Sequence, residues 1–213
     1  MSTEPYKDSL AFIGTGRLAT GLALALYANG IAISAVAGRS AANARALAAR
    51  IEGCEALSAQ EAIDRHALVF VAVPDDSIAQ VTDSLHWRSG QAVVHCSGAT
   101  EVSALDAARR AGAQTGGFHP LQTFTDPQAA LATLPGCTVA IEAPEPLFTT
   151  LADLARAIGC RPFALPPGSR ARYHATGSYA AQFVNALLLE ASEVWASFGQ
   201  KRETAVQALL PLL

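Results

Sequence analysis

AFIGTGRLATGLALAL, Ala11–Leu26, joins a strand pattern, a glycine turn and a helix pattern with no linker between them. The apolar run Leu10–Ile13 stops at Gly14-Thr15-Gly16, and apolar residues at Leu18, Leu22, Leu24 and Leu26 begin a helical spacing at once. A turn of this kind lets bare backbone approach a pyrophosphate, which then sits on the positive end of the helix. The third small position of the G-x-G-x-x-G spacing is Ala19, a substitute tolerated where helix and strand pack closely. Gly14, Thr15, Gly16, Arg17 and Leu18 are therefore the candidate pyrophosphate seat.

Asn29-Gly30 ends the first helix, and the β-branched stretch Ile31–Ala37 reads as a second strand closing on Gly38-Arg39-Ser40. In an NAD site an Asp or Glu at this point would bind the ribose diol, yet no acidic residue occurs between Asp8 and Glu52. A guanidinium and a hydroxyl, Arg39 and Ser40, stand there instead and suit a 2′-phosphate, with Arg17 as a second cation. NADP, as NADPH, is the cofactor this pattern implies.

Strand and helix patterns then alternate. Ala41–Ile51 is an alanine-rich helix, Cys54–Leu57 a short strand, and Ser58 with Glu61 a capping box. The unbroken apolar run Ala67–Pro74 fits a strand buried on both faces of a parallel sheet. Pro74-Asp75-Asp76-Ser77 ends that strand, and the two aspartates are read as capping the next helix. Further strands are expected at Gln91–Ala99, Gly116–Phe118, Cys137–Ala143 and Arg161–Leu165, with helices at Glu101–Ala111, Asp126–Leu134 and Glu145–Ile158 between them. The fold class is α/β: a doubly wound, Rossmann-type, mainly parallel sheet. Its ligand side lies at the carboxyl ends of the strands, which places Gly14–Gly16, Gly38–Ser40, Val73–Ser77, Ser97–Ala99 and His119–Phe124 on one edge. Val73 and Pro74 join the cofactor set on that ground. Pro166-Pro167-Gly168 is the sharpest break in composition, giving a dinucleotide-binding domain at 1–166 and an all-α segment at 167–213. One long helix from Ser169 to Phe198 and another from Glu203 to Leu210 are expected there.

Composition narrows the function classes. Hydrophobic residues make up 51% of the 213 positions, charged residues only 15%, and the formal net charge is -3. Such a chain has ample core material and no basic surplus to attract nucleic acid. Its four cysteines are scattered without a C-x-x-C pair, and the spacing holds no metal-ligand set. Free buried thiols and the lack of a signal-peptide pattern in MSTEPYKDSL lead us to expect a cytoplasmic protein. The apolar span Leu18–Ala37 is broken at Asn29-Gly30 into pieces too short to cross a bilayer.

The set GTGRLATGL, GRS, VAVPDDSI, HCSGA and GFHPLQTF, in this order, resembles the Rossmann-like NADP oxidoreductases of the 6-phosphogluconate dehydrogenase-like superfamily, the group with a C-terminal domain of unknown function. Relatives of that group include pyrroline-5-carboxylate reductase, prephenate dehydrogenase and deazaflavin-dependent NADP reductases. The resemblance implies hydride transfer between a nicotinamide and a small carbonyl, imine or hydroxy compound. It also implies helices beyond LLPLL, so the C-terminal domain reads as shortened, and an Asn where this chain has Gln182. A non-catalytic dinucleotide-binding sensor or interaction protein is the alternative.

Hydride chemistry belongs to the nicotinamide, so the protein must supply a proton donor or acceptor. His119, read as directly following a strand and oriented by Pro120, is one candidate, with Ser97 at the end of the preceding strand. Gln122 and Thr123 are candidate substrate contacts. On the long helix His174, Ser178 and Gln182 recur at every fourth residue, and Asn185 returns to nearly the angle of His174. The superfamily resemblance turns this face toward the nicotinamide, making His174 the first candidate acid or base and Ser178 and Gln182 substrate contacts. His95 is read as a satisfied core histidine. The apolar face from Ala180 and the LLPLL end suggest a homodimer.

Overall fold

β1 (Leu10–Ile13) is buried throughout and runs through Gly14 into α1 (Arg17–Ala28). The computed structural model describes residues 10–212. Gly14 has φ +127°, and a Cβ there would lie 2.1 Å from the carbonyl oxygen of Ala72. No side chain fits that gap, so the glycine lets the turn rest on the end of β4 (Leu68–Val71). Two backbone bonds hold it: the Gly14 N–H donates to Ala37 O and the Ala72 N–H to Ile13 O, each at 2.8 Å.

The remaining strands are β2 (Ile33–Ala37), β3 (Glu55–Ala56), β5 (Ala92–His95), β6 (Gln114–Pro120), β7 (Thr138–Glu142) and β8 (Arg161–Ala164). The sheet order is β3-β2-β1-β4-β5-β6-β7-β8. Only the β6–β7 pairing is antiparallel. The order of the first six strands is that of the doubly wound dinucleotide fold, and its chain reversal lies between β1 and β4. The apolar faces of α1, α2 (Ala41–Ala48), α6 (Ala130–Thr133) and α7 (Leu147–Ala157) cover one side. Buried residues of α3 (Ala59–Arg65), α4 (Ile78–Asp83) and α5 (Asp106–Arg110) cover the other. On the first side Phe12 stacks on Phe70 at 5.0 Å, and Phe118 meets Phe70 edge-on at 5.5 Å.

Two expectations are corrected here. His119 does not follow a strand; it lies within β6, opposite Ala140. The antiparallel partner β7 extends the pairing to Pro120–Val139 and makes β6 longer than its apolar centre indicates. The long helix is also not uniform. α8 (Arg170–Gly177) passes through a π-helical stretch, Ser178–Phe183, into α9 (Val184–Ser197). A π turn takes in about one extra residue, which rotates everything after it by about 100°. Asn185 therefore does not return to the angle of His174. α10 (Arg202–Leu209) follows, with Ala205 buried.

The chain divides into two compact units, the first ending at Arg170 and the second beginning at Ala171. Among the described residues no helix is long and apolar enough to cross a membrane.

Replacing Gly14 by Ala puts a methyl carbon into the Ala72 carbonyl at a φ that L-residues rarely adopt. The expected loss is about 3 kcal/mol or more of unfolding free energy, measured by urea titration. Gly16→Ala, where a Cβ meets nothing within 4 Å, is expected to cost under about 1 kcal/mol.

Candidate functional site

A cavity of about 960 Å³ opens at the carboxyl ends of β1, β2 and β4. It is lined by every residue that the sequence puts at the cofactor: Gly14, Thr15, Gly16, Arg17, Leu18, Arg39, Ser40, Val73 and Pro74. Gly16 is the N-cap of α1, whose start has no side-chain cap, so the first backbone N–H groups of this 12-residue helix are left for a ligand. The bare Cα of Gly16 leaves that approach open. The glycine turn also meets the end of β2 closely, since a Cβ on Gly38 would be 3.0 Å from Thr15 Cγ2.

Ser40 caps α2, its Oγ accepting the Asn43 N–H at 3.2 Å. The hydroxyl proton remains available to an anion. Asn43, Ser77, Gln80 and Phe124 also line it; the sequence puts Ser77 and Phe124 on the ligand edge without giving them a role, and passes over Asn43 and Gln80. Asn43 carried a usable signal, because it stands one helical turn after Arg39 and Ser40. Phe124 arrives from the GFHPLQTF segment by packing on Gly21 of α1, where a Cβ would come within 3.2 Å of its ring.

A second polar group lies further along the same edge. His95, Gly117 and Glu142 are register partners across β5, β6 and β7. The guanidinium of Arg170, fully buried, fills the place of a Gly117 side chain: a Cβ there would be 1.7 Å from Nη2. Arg170 Nε donates to Glu142 Oε2 at 2.7 Å and Nη1 to Ser97 O at 2.8 Å, while its backbone N–H donates to Glu101 Oε1 at 3.2 Å. Ser97 ties this group to the cavity loop. Its Oγ donates to Asp75 Oδ2 at 2.7 Å and accepts from the N–H groups of Ala99 and Thr100.

These contacts change several readings. Asp75 and Asp76 do not cap the helix that follows β4, whose start has no side-chain cap; Asp75 receives the Ser97 hydroxyl and Asp76 that of Ser77. His95 is not fully satisfied: its Nδ1 accepts the Ser97 N–H at 3.2 Å, but Nε2 has no partner among the described residues. Burial, and then the charges of Arg170 and His119, push its pKa down to about 3. Gln122 donates to Thr133 O at the end of α6 at 2.8 Å and accepts the Thr123 N–H through Oε1. Thr123 is exposed and His119 half-buried. In the helical unit His174 and Gln182 are exposed and Ser178 is half-buried. Among the described residues no group of three or more His, Cys, Asp or Glu could hold a metal ion.

Glu142→Ala leaves the buried Arg170 guanidinium without its carboxylate, and an expected destabilisation of about 3–5 kcal/mol is measurable by chemical unfolding. His95 makes stability pH-dependent in a definite direction. Its folded pKa of about 3 lies below the ordinary 6.5, so the unfolded chain takes up the proton first. The associated stability is fully present above the ordinary value and declines as pH falls toward the folded one, at about 1.4 kcal/mol per pH unit. In His95→Gln, unfolding curves between these limits are expected to lose that one-proton slope.

Residues 9–99 match the family described as NADP oxidoreductase, coenzyme F420-dependent, and residues 137–213 match a domain of unknown function, DUF2520. The fold is similar to that of protein TM1727 from Thermotoga maritima, with TM-score 0.76 and 26% identity over 95% of this chain and 75% of that one. It is also similar to a reductive aminase from Aspergillus terreus solved with NADPH and ethyl-5-oxohexanoate, with TM-score 0.80 and 17% identity over 96% and 71% of the two chains. The 1-pyrroline-5-carboxylate reductase of Streptococcus pyogenes gives TM-score 0.72 and 15% identity over 96% and 76%. No curated protein matches the chain. The chain thus joins an N-terminal segment that matches the NADP oxidoreductase family to a C-terminal segment that matches DUF2520.

Proposed function

We propose that this protein is an NADPH-dependent oxidoreductase acting on a small carbonyl, imine or hydroxy compound. The uncapped start of α1, which faces the 960 Å³ cavity beside Arg17 and Arg39, is the observation that carries the reading. When bound, the nicotinamide supplies or accepts the hydride. Gly14, Thr15, Gly16, Arg17 and Leu18 hold the pyrophosphate through backbone N–H groups and one cation. Arg39 and Ser40 read the 2′-phosphate, and Val73 and Pro74 form the opposite wall.

His174 is the proposed proton donor or acceptor, with His119 as the alternative. Ser97 is assigned to the same centre, and Gln122, Thr123, Ser178 and Gln182 to the polar end of the substrate. The family of residues 9–99 and the uses named for the reductive aminase and the pyrroline-5-carboxylate reductase support this chemistry. We further propose a homodimer built on the helical unit, where Phe183, Leu187, Leu189, Val194 and Phe198 are each more than half exposed. Light scattering of the purified chain tests that arrangement.

A charge-assisted contact of roughly 1.5–3 kcal/mol from Arg39 gives about a ten- to hundredfold preference for NADPH over NADH. Fluorescence titration of the two cofactors is expected to show it, and Arg39→Ala to abolish it; equal affinities in the unaltered protein overturn the assignment. His174→Ala is expected to lower turnover by about 10²–10⁴ with NADPH affinity unchanged. Full turnover in that variant transfers the role to His119. NADPH binding without turnover on any carbonyl or imine of a broad panel favours the sensor reading instead.

A further inference from the structure

Two of the scattered cysteines meet in the fold. Thr138 and Arg161 are register partners on the parallel strands β7 and β8. Stepping back one residue on each strand places Cys137 opposite Cys160, and the Arg161 N–H donates to Cys137 O at 2.8 Å. Neighbouring strands lie about 4.8 Å apart, within the Cα separations that a disulfide bridges, roughly 4.4–6.8 Å. Both side chains are on the same face of the sheet: Cys160 belongs to the core cluster and Cys137 packs against it.

The thiols also point to one place. Cys137 Sγ donates to Thr133 O at 3.0 Å and Cys160 Sγ to Leu134 O at 3.1 Å, consecutive carbonyls at the end of α6. The two groups feel each other electrostatically, and Cys137 adds to the burial effect that pushes Cys160 up to about 11. Gln122, from the loop that carries Phe124 into the cavity, donates to Cys137 Sγ at 3.3 Å. Cys96 and Cys54 belong to or pack against the same core cluster, but Cys54 Sγ donates elsewhere, to Glu55 O at 3.9 Å.

We propose that Cys137 and Cys160 form a dithiol modification site that closes to a reversible intramolecular disulfide with a small-molecule disulfide as oxidant. Cys137, the more accessible of the pair, attacks first as thiolate and takes one sulfur of the oxidant, releasing its other half as a thiolate. The Cys160 thiolate then attacks Cys137 Sγ, the Cys137–Sγ bond to the oxidant fragment breaks, and the second half leaves as a thiolate. Two protein thiols are oxidised, one small disulfide is reduced to two thiols, and the two protons pass to the leaving groups. Because the Cys160 thiol is held up by burial, the closing step accelerates as pH rises through the neutral range. The site does not depend on the proposed function.

The test uses the full chain incubated with glutathione disulfide at mildly alkaline pH, followed by intact mass and a non-reducing tryptic map. Arg156 lies between the two cysteines, so cleavage there separates their peptides. The expected product has lost two hydrogens, links the Cys137 and Cys160 peptides, retains the other two thiols, and is reversed by dithiothreitol. Cys160→Ser is expected to stop at a glutathione adduct on Cys137, and Cys137→Ser to give no intramolecular bond. A linkage involving Cys54 or Cys96, a glutathione adduct as the end point in the unaltered chain, or four unreacted thiols overturns the proposal.

Discussion

The close approach of Gly14 to the backbone of Ala72 is the constraint on which the rest of the site depends. A Cβ at that point would sit inside the carbonyl group, so the turn after β1 comes this near to β4 only as glycine. The approach sets the end of β1 against the end of β4, where the strand order reverses, and starts α1 at the mouth of the opening between them. The absence of a side-chain cap on that helix then has a meaning. Its first N–H groups would be a liability against a packed wall, but they face a cavity large enough for a dinucleotide. The backbone economy of Gly14 and Gly16 and the electrostatics of the pocket have one physical origin.

A different principle organises the far side of the edge. Burying the Arg170 guanidinium costs several kcal/mol in lost hydration, and the Glu142 carboxylate and Ser97 carbonyl offset that cost through geometry. A hydrophobic residue of similar volume would serve stability as well. What the charged pair adds is location: the hydrogen bonds and the notch over Gly117 accept one side chain in one orientation. The point where the chain leaves the sheet is thereby fixed, and Ser97 carries the same restraint through Asp75 to the loop after β4. The charge also has a local consequence, since together with burial it keeps His95 neutral.

These two regions were unequally legible in the sequence. The glycine turn, the first two strand runs and Arg39-Ser40 are local patterns with local causes: β1, α1 and β2 lie where those patterns place them, and Arg39 and Ser40 line the cavity. The Arg170 network is not local. Arg170 N and Glu101 Oε1 are 69 positions apart, and nothing around Arg170 distinguishes it from a solvated helix residue. Asp75 departs from its local pattern for a related reason: after a strand and before a helix an Asp reads as a cap, whereas its partner Ser97 lies 22 positions away, just beyond β5. Gly117 did hold a clue, a small residue beside another glycine in a strand, which marks close approach of something bulky.

The helical unit shows the limit of periodicity itself. Spacing of every fourth residue assumes 3.6 residues per turn, and nothing in SYAAQF announces the π stretch that breaks the assumption. His174 precedes that stretch, whereas Ser178 and Gln182 lie within it and Asn185 beyond it. A polar face drawn on a uniform helix through all four is therefore divided. Insertions of this kind recur in helices near functional sites, because an extra residue re-aims side chains without ending the helix. The division separates His174 from the residues with which a regular helix groups it, and its candidacy as a proton donor rests on its own position rather than on membership of a stripe.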